Sequence, residues 1–289
     1  MIKIKTKAYE GYRRFLDNIS EKILSLKNEI PDLRFISGGI GIAGDVDGKN
    51  GILRFSPNLS GWRNIRLARD LKRKTKIDYV MENDANMAAW GAYELELKKK
   101  SKNVFVMTLG TGIGGGIILN GGLYSGFSGS AGEIGHIIVE SDGRKCNCGN
   151  RGCLEAYCGS NAILKRANSL IRNIDSYKLK YGFGEEKKIN TISLAMAADK
   201  GDKTAKKAWS EVGFYLGIGV GNMALLFNPE YLILTGGVSK GARHFLPSMK
   251  ESLERFKIKT PIKDMKIKVS DNPDLGSYGA ALYGLQYKK

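Results

Sequence analysis

The stretch from Glu133 to Glu155 constrains this chain more than any other. It reads Glu-Ile-Gly-His, nine further residues, then Cys-Asn-Cys-Gly-Asn-Arg-Gly-Cys-Leu-Glu. His136, Cys146, Cys148 and Cys153 place one imidazole and three thiols within eighteen positions of a chain that has only two histidines. That is the soft nitrogen and sulfur set of tetrahedral zinc. Gly149 and Gly152 supply the backbone freedom that a tight wrap around an ion needs. Disulfide pairing is the alternative, but the fourth cysteine, Cys158, stands apart. The amino terminus, Met1-Ile-Lys-Ile-Lys-Thr, also lacks the apolar stretch of an export signal. A structural zinc has no use for Glu133, three residues before the histidine, for Glu155, two after the last cysteine, or for Asn83-Asp84 upstream. A site that grips several hydroxyl groups does, because carboxylates and an amide each hold polyol hydroxyls. The expectation is a zinc that acts as scaffolding, pinning the loop so that His136 and both glutamates face one pocket.

With 289 residues the chain is long enough for two domains. Its formal charge of +17 raises the question of nucleic acid. Lys and Arg are spread along the whole chain, dense only at 63–76 and 98–102, which reads as solvated helix faces. An anionic substrate such as a nucleotide fits the charge equally well. The 37 glycines cluster in runs, which suggests backbone-mediated ligand contact. The most apolar run, 214–227, contains three glycines and an asparagine and stops at Asn228-Pro229, so it reads as a buried helix and not a membrane span. Reduced thiols without an export signal place the chain in the cytoplasm.

Residues 1–6 alternate like the tail of a strand. From Tyr9 the period becomes helical, with Tyr12, Phe15, Leu16, Ile19, Ile23 and Leu26 on one face. Residues 35–42 read as a buried strand with glycines where something approaches closely. Turns at Asp45-Val-Asp-Gly and Lys49-Asn-Gly follow, then the loop 56–62 and a basic helix through about Lys74. A strand at 77–81 leads into Glu82-Asn-Asp-Ala-Asn, which opens a helix to about Leu97, and 103–109 is another strand. Beyond Gly110-Thr-Gly-Ile-Gly-Gly-Gly come a strand at 117–119 and an Asn120-Gly-Gly hairpin turn. The chain is then helical from Asn161 past Leu226, with a polar excursion at 177–188. A strand at 231–234 ends in Thr235-Gly-Gly, a helix runs to Phe256, a strand covers 265–269, and a final helix 278–285 closes the chain. Strands alternating with helices predict an α/β fold with largely parallel pairing.

Two glycine runs and one aspartate carry further chemistry. Gly110 to Gly116 can turn backbone N–H groups toward an anion, with the Thr111 hydroxyl beside them. It is neither a Walker A loop nor a Rossmann fingerprint, and a plain tight hairpin explains it equally well. Gly236-Gly237 follow a strand and precede a helix, where α/β folds hold ligands. Asp84 follows a strand and begins a helix, a position that suits a helix cap. The doubled Asn83-Asp84, with Asn86 beyond, is more than a cap requires. A carboxylate there can also accept the proton of a substrate hydroxyl as a phosphoryl group arrives in line.

With these residues in view, the chain resembles the ROK family (repressors, open reading frames and kinases) of the actin-like ATPase/hexokinase superfamily. The motifs are Ser56-Pro-Asn-Leu-Ser-Gly-Trp, Glu82-Asn-Asp-Ala-Asn, Leu109-Gly-Thr-Gly-Ile-Gly-Gly-Gly, Gly132-Glu-Ile-Gly-His and the cysteine loop, all in family order. The resemblance implies the α/β, RNase H-like fold, with a first lobe at 1–108 that lacks its first strands and is joined by the C-terminal helix 276–289. The second lobe would be 109–275, with the zinc loop at 136–153. It implies an ATP-dependent sugar kinase acting on the 6-hydroxyl of glucose or a close relative, with Asp84 as the general base. Asn58, Asn83, Glu133, His136 and Glu155 become sugar contacts. Gly110, Thr111, Gly112, Gly114, Gly236 and Gly237 become ATP contacts, with Mg²⁺ on the phosphates. His136, Cys146, Cys148 and Cys153 become the ligands of a structural zinc, and the assembly a homodimer or larger homo-oligomer, with no membrane or nucleic-acid partner. A sugar-sensing regulator of the same family, or a catalytically impaired member, is the alternative. Family kinases open with an Asp-x-Gly-Gly-Thr phosphate loop that has no counterpart here, so the expectation is either a coding start upstream of Met1, the preferred reading, or a degenerate chain with impaired catalysis.

Overall fold

The computed structural model describes residues 2–30, 32, 35–171, 174–181 and 189–287. The chain divides into two compact units, Met1–Lys99 with Leu123–Ala131 and Asp274–Lys289, and Lys100–Gly122 with Gly132–Pro273.

The first unit begins with helix α1 (Tyr12–Glu29). The residues before it form no strand: among the described residues, 2–7 are irregular and find no pairing partner. The helical face read from the sequence does pack. Leu16 is buried, and Tyr12, Phe15, Ile19 and Ile23 lie against Val46, Leu53, Trp62, Leu67, Leu71 and Met81. Trp62 meets the edges of Tyr12 and Phe15 at centroid distances of 5.2 and 4.9 Å, a geometry that the ring quadrupole favours.

Strand β1 (Gly38–Ile42) pairs in parallel with β5 (Tyr79–Asn83). Between them lie β2 (Asp45–Asp47), β3 (Ile52–Phe55) and β4 (Arg63–Ile65), a three-stranded antiparallel sheet. The Asp45-Val-Asp segment, which composition marks as a turn, is thus a strand. Val46 is fully buried opposite Leu53, and Arg54 binds Asp45 at 2.9 Å and Asp47 at 3.3 Å. Helix α2 (Leu67–Thr75) is basic on its outer face and buries Leu67 and Leu71. Helix α3 (Asp84–Gly91) continues as a π turn, Ala92–Glu96.

The second unit holds a five-stranded sheet in the order β10–β9–β6–β7–β8. Strands β6 (Val104–Leu109) and β7 (Ile113–Leu119) form a hairpin, followed by β8 (Gly122–Leu123). The sequence suggested that β7 begins at Ile117. It begins at Ile113, and glycines 114–116 are strand residues opposite Thr108, Met107 and Val106. The turn itself is only residues 110–112.

Helices α4 (Glu155–Cys158), α5 (Ser160–Leu170), α6 (Ile174–Tyr181), α7 (Thr191–Asp199) and α8 (Lys203–Phe227) follow. Residues 182–188 of the polar excursion lie outside the described residues. Strand β9 (Tyr231–Thr235) joins β6 in parallel, and β10 (Lys266–Val269) joins β9 in parallel. Helix α9 (Ala242–Glu254) and the short α10 (Thr260–Lys263) lie between those strands.

Helix α8 is long and apolar enough to cross a bilayer by length and composition. Its apolar residues are taken up by packing, with Trp209, Leu216 and Val220 at 0% exposure. A Cβ at Gly213 would stand 2.2 Å from the carbonyl oxygen of Phe245, so the glycine lets α9 lie directly on α8.

The chain then returns to the first unit with α11 (Leu275–Gln286). A Cβ at Gly39 would lie 1.7 Å from the Ala280 carbonyl oxygen, and one at Gly279 would lie 1.8 Å from that of Met87. The β1 glycines that suggested ligand approach therefore admit a helix. Gly279→Ala should destabilise the protein by about 1–3 kcal/mol through overpacking, despite alanine's better helix propensity. Urea unfolding reads this as a lower midpoint, and an unchanged or higher midpoint would contradict the packing.

Candidate functional site

The site residues expected from the sequence fall into two groups, one in each unit. In the first unit the parallel pairing of β1 and β5 brings the chain to Asn83, opposite Ile42, and α3 starts at the next residue. Asn83, in an extended conformation (φ −62°, ψ 148°), caps the helix. Its Oδ1 accepts the N–H groups of Ala85 (2.8 Å) and Asn86 (3.4 Å), and its Nδ2 donates to the Gly44 carbonyl at 3.0 Å. The cap is made, so Asp84 is not needed for it. Asp84 is exposed, and its Oδ1 accepts the Ala85 N–H at 3.0 Å. The mass of protein around it raises its pKa, while backbone hydrogen bonds oppose the rise. Asn58 is exposed on the loop after β3, where its N–H donates to Oγ of the buried Ser56 at 3.3 Å.

One residue of this group escaped the sequence reading. Glu82 is only 6% exposed. Its Oε2 accepts from Asn86 Nδ2 (3.0 Å) and from the Asn83 N–H (3.3 Å), and its Oε1 from Ser125 Oγ (3.2 Å). Ser125 belongs to the segment Leu123–Ala131 of the same unit, whose Ser128 carbonyl accepts from Arg54 at 2.7 Å. Glu82 thus fastens the start of α3 to this segment. The available signal was a carboxylate one residue inside the end of a strand that stops at Asn83.

Burial raises the pKa of Glu82 against those three hydrogen bonds. A raised carboxyl pKa means that the folded chain holds a proton which the unfolded chain has already lost. The group's contribution to stability therefore falls as pH rises through the window above the ordinary carboxylate value. Glu82→Gln removes that slope. Its melting temperature, relative to the wild type, should be higher near neutral pH than at about pH 5, and the opposite order would contradict the dominance of burial.

In the second unit, Glu133 precedes a single 3₁₀ turn, Ile134–His136, that His136 closes, and the His136 N–H donates to the Glu133 carbonyl at 3.0 Å. The turn rests on β7: a Cβ at Gly135 would stand 2.2 Å from the Ile113 carbonyl oxygen, and one at Gly132 would stand 2.6 Å from that of Gly115. The cysteine loop folds back on itself through bridges Ile138–Cys153 and Lys145–Arg151. Its sharpest bends are Gly149 (φ +99°) and Gly152 (φ +76°).

The structure brings His136, Cys146, Cys148 and Cys153 together, with one ligand atom of each within 4.8 Å of all the others. Cys148 Sγ and Cys153 Sγ are 3.6 Å apart, and Cys146 Sγ is 3.9 Å from His136 Nδ1. Zinc–ligand bonds of about 2.0–2.3 Å in a tetrahedron separate the donors by roughly 3.5–3.8 Å, so the four residues fit such an ion. A disulfide requires about 2.05 Å. All four cysteines are free thiols. Cys158 stands outside the cluster, fully buried, its thiol donating to the Val212 carbonyl at 3.4 Å, and burial pushes its pKa up.

A second set of contacts ties this loop to the helices. Arg144 pairs with Glu211, which also receives Arg166 Nε at 2.7 Å. The Arg144 guanidinium lies 4.6 Å from the Tyr157 ring centroid, and Tyr157 stacks on Tyr215 at 3.9 Å. The guanidinium face on an aromatic ring adds cation–π attraction to the ion pair.

Both glycine turns lie at the C-terminal ends of neighbouring parallel strands, since Thr108 of β6 is paired with Thr235 of β9. Gly236 (φ +98°) packs so closely that a Cβ would be 2.5 Å from the Leu109 carbonyl oxygen. Gly110, Thr111, Gly112, Gly236 and Gly237 are therefore neighbours at one end of one sheet, the position at which α/β sheets bind ligands. Gly114 is not part of the turn. Glu155 lies beside the first turn, its Oε2 accepting the Ile113 N–H at 3.0 Å.

The ROK family sequence profile matches residues 6–286. A glucokinase of Thermotoga maritima is 33% identical over 277 residues, 94% of this chain and 85% of that protein. A glucokinase of Halalkalibacterium halodurans is 34% identical over 219 residues, 75% of this chain but 66% of the relative's length. A xylose repressor of Bacillus subtilis is also 34% identical, over 74% of this chain and 52% of the repressor. The crystal structure of a ROK family glucokinase from Streptomyces griseus, in complex with glucose and AMPPNP, superposes with a TM-score of 0.78 at 32% identity. It covers 93% of this chain and 88% of that one. The α/β fold is accordingly the actin-like/hexokinase fold of those kinases. The cysteine loop, the Asn83-Asp84 junction and the paired glycine turns occur in a chain matched over nearly its whole length, and this chain belongs to the ROK family.

Proposed function

We propose that this chain is a sugar kinase that transfers the γ-phosphoryl group of ATP to the 6-hydroxyl of glucose or a close relative. The observation that carries the reading is the division of labour at the start of α3. Asn83 satisfies the helix end, and Asp84, the first residue of the helix, keeps an exposed carboxylate just beyond the end of the strand. In the reaction Asp84 takes the hydroxyl proton as the oxygen attacks the γ-phosphorus. The bond from that phosphorus to the bridging oxygen breaks, and ADP leaves. Asn58, Asn83, Glu133, His136 and Glu155 hold the other hydroxyls. Backbone N–H groups of the two glycine turns, with the Thr111 hydroxyl, hold the phosphates, whose charge Mg²⁺ neutralises.

His136, Cys146, Cys148 and Cys153 would hold a zinc ion, whose part is to fix the loop. Unbonded thiols suit a reducing compartment, which is where ATP-dependent sugar phosphorylation would run. Coupled ADP release tests the reading on the purified chain with MgATP and, separately, glucose, mannose, fructose and N-acetylmannosamine. Turnover with glucose or a close relative is expected.

The kinship with xylose repressors supports a second reading, a sugar-responsive regulator. Saturable hexose binding with no ADP release from any of the four sugars would favour it.

A further inference from the structure

We propose that Glu155 is a positioning residue for the glycine turn at 110–112, so that the cysteine loop governs nucleotide affinity as well as sugar affinity. The proposal rests on the reading of that turn as a phosphate holder. The turn is short and has little of its own to hold it. The Gly110 N–H donates to the Gly112 carbonyl at 2.9 Å. In an antiparallel ladder the next pair, Leu109 and Ile113, then lies in a non-hydrogen-bonded position, and the Ile113 N–H points out of the ladder. A backbone N–H left in that position needs an acceptor. Glu155 Oε2 provides it at 3.0 Å. The contact is tight enough that a Cβ on Gly112 would come 2.3 Å from the same oxygen.

The segment that begins with Glu155 holds the rest of the turn as well. The Ser160 N–H, at the start of α5, donates to the Gly110 carbonyl at 2.9 Å. A Cβ on Gly159 would lie 2.9 Å from the Thr111 carbonyl oxygen. Residues 110–113 are thus each met by residues 155–160. One residue, Leu154, separates Glu155 from the fully buried Cys153, and the Leu154 N–H donates to the Ile137 carbonyl at 3.0 Å. The ligand cluster and the turn are joined through Cys153, Leu154 and Glu155, the first two fully buried.

A carboxylate beside a phosphate-holding turn is unfavourable by charge alone, which separates its two functions. Glu155→Gln keeps an oxygen that accepts the Ile113 N–H and loses the charge, whereas Glu155→Ala loses both. MgADP titrated by calorimetry into the full chain without sugar, and hydrogen exchange at the Ile113 amide, read the two variants. The expected result is that Glu155→Ala weakens MgADP at least about tenfold, the range for loss of a supporting contact, and speeds Ile113 exchange. Glu155→Gln should keep wild-type exchange and bind MgADP as well as or better than the wild type. If Glu155→Ala does not fold, the glutamine variant carries the test, and loss of MgADP affinity in it would overturn the proposal. An alanine variant that binds MgADP normally, with slow Ile113 exchange, would also overturn it and leave the kinase reading intact. Wild-type chain that binds no MgADP would instead remove the phosphate role of the turn, and this proposal with it.

Discussion

Asp84→Asn should abolish hexose-dependent ADP release while leaving hexose binding and the fold in place. Asparagine is isosteric, and its side-chain oxygen accepts the Ala85 N–H as Asp84 Oδ1 does at 3.0 Å. The cap of α3 rests on Asn83, so the helix keeps its stabilised end. What is lost is the group that accepts the hydroxyl proton, an effect of about 10²–10⁴ in kcat. The melting temperature should hold or rise, because a carboxyl whose pKa the surrounding protein raises is mildly costly when ionised. Asn83→Ala should behave in the opposite way, losing about 1 kcal/mol of stability with the cap. An Asp84→Asn protein that turns over within tenfold of the wild type would remove Asp84 from its role.

Cys148→Ser should release the metal and weaken hexose binding together. Cys148 is the exposed member of the cluster, so trimming sulfur to oxygen there disturbs no packing. Within the loop the backbone bonds to itself, with the Cys146 N–H on the Asn150 carbonyl at 2.8 Å and the Val139 N–H on the Gly152 carbonyl at 2.8 Å. With one ligand gone, the cluster would no longer hold the ion that would fix the His136 ring, and the ends of the loop that carry Glu133 and Glu155 would loosen. Elemental analysis should show substoichiometric metal, and calorimetry should show a dissociation constant for glucose raised by about tenfold or more. Cys158→Ser is the control. Its thiol lies outside the cluster in a fully buried position, so it should keep the metal and lose only stability. Normal glucose affinity in metal-free Cys148→Ser would show that the loop does not support the sugar residues.

Sequence legibility followed how local each feature is. The four metal-ligand candidates lie within one short stretch, and glycines at the bends announce the loop, so their convergence could be read directly. Helix α1 was legible because its apolar residues repeat at helical spacing. The division between Asn83 and Asp84 was not, since either residue caps helices well, and only the extended backbone at Asn83 decides between them. Glycines 114–116 read as a loop because residues without side chains show no alternation, yet their backbone pairs with β6 throughout. Asp45–Asp47 carries turn residues but becomes a strand, because Arg54 and the buried Leu53 on the neighbouring strand supply partners that no local pattern reveals. Glu82 was hidden for the same reason: the hydroxyl of Ser125, 43 residues later, makes its burial tolerable.

The most direct measurement is ³¹P NMR of the purified chain with MgATP and glucose. A hexose 6-phosphate signal should grow as ATP is consumed, and none should appear with Asp84→Asn. Glucose that binds saturably while the ATP signals remain unchanged would contradict the kinase reading.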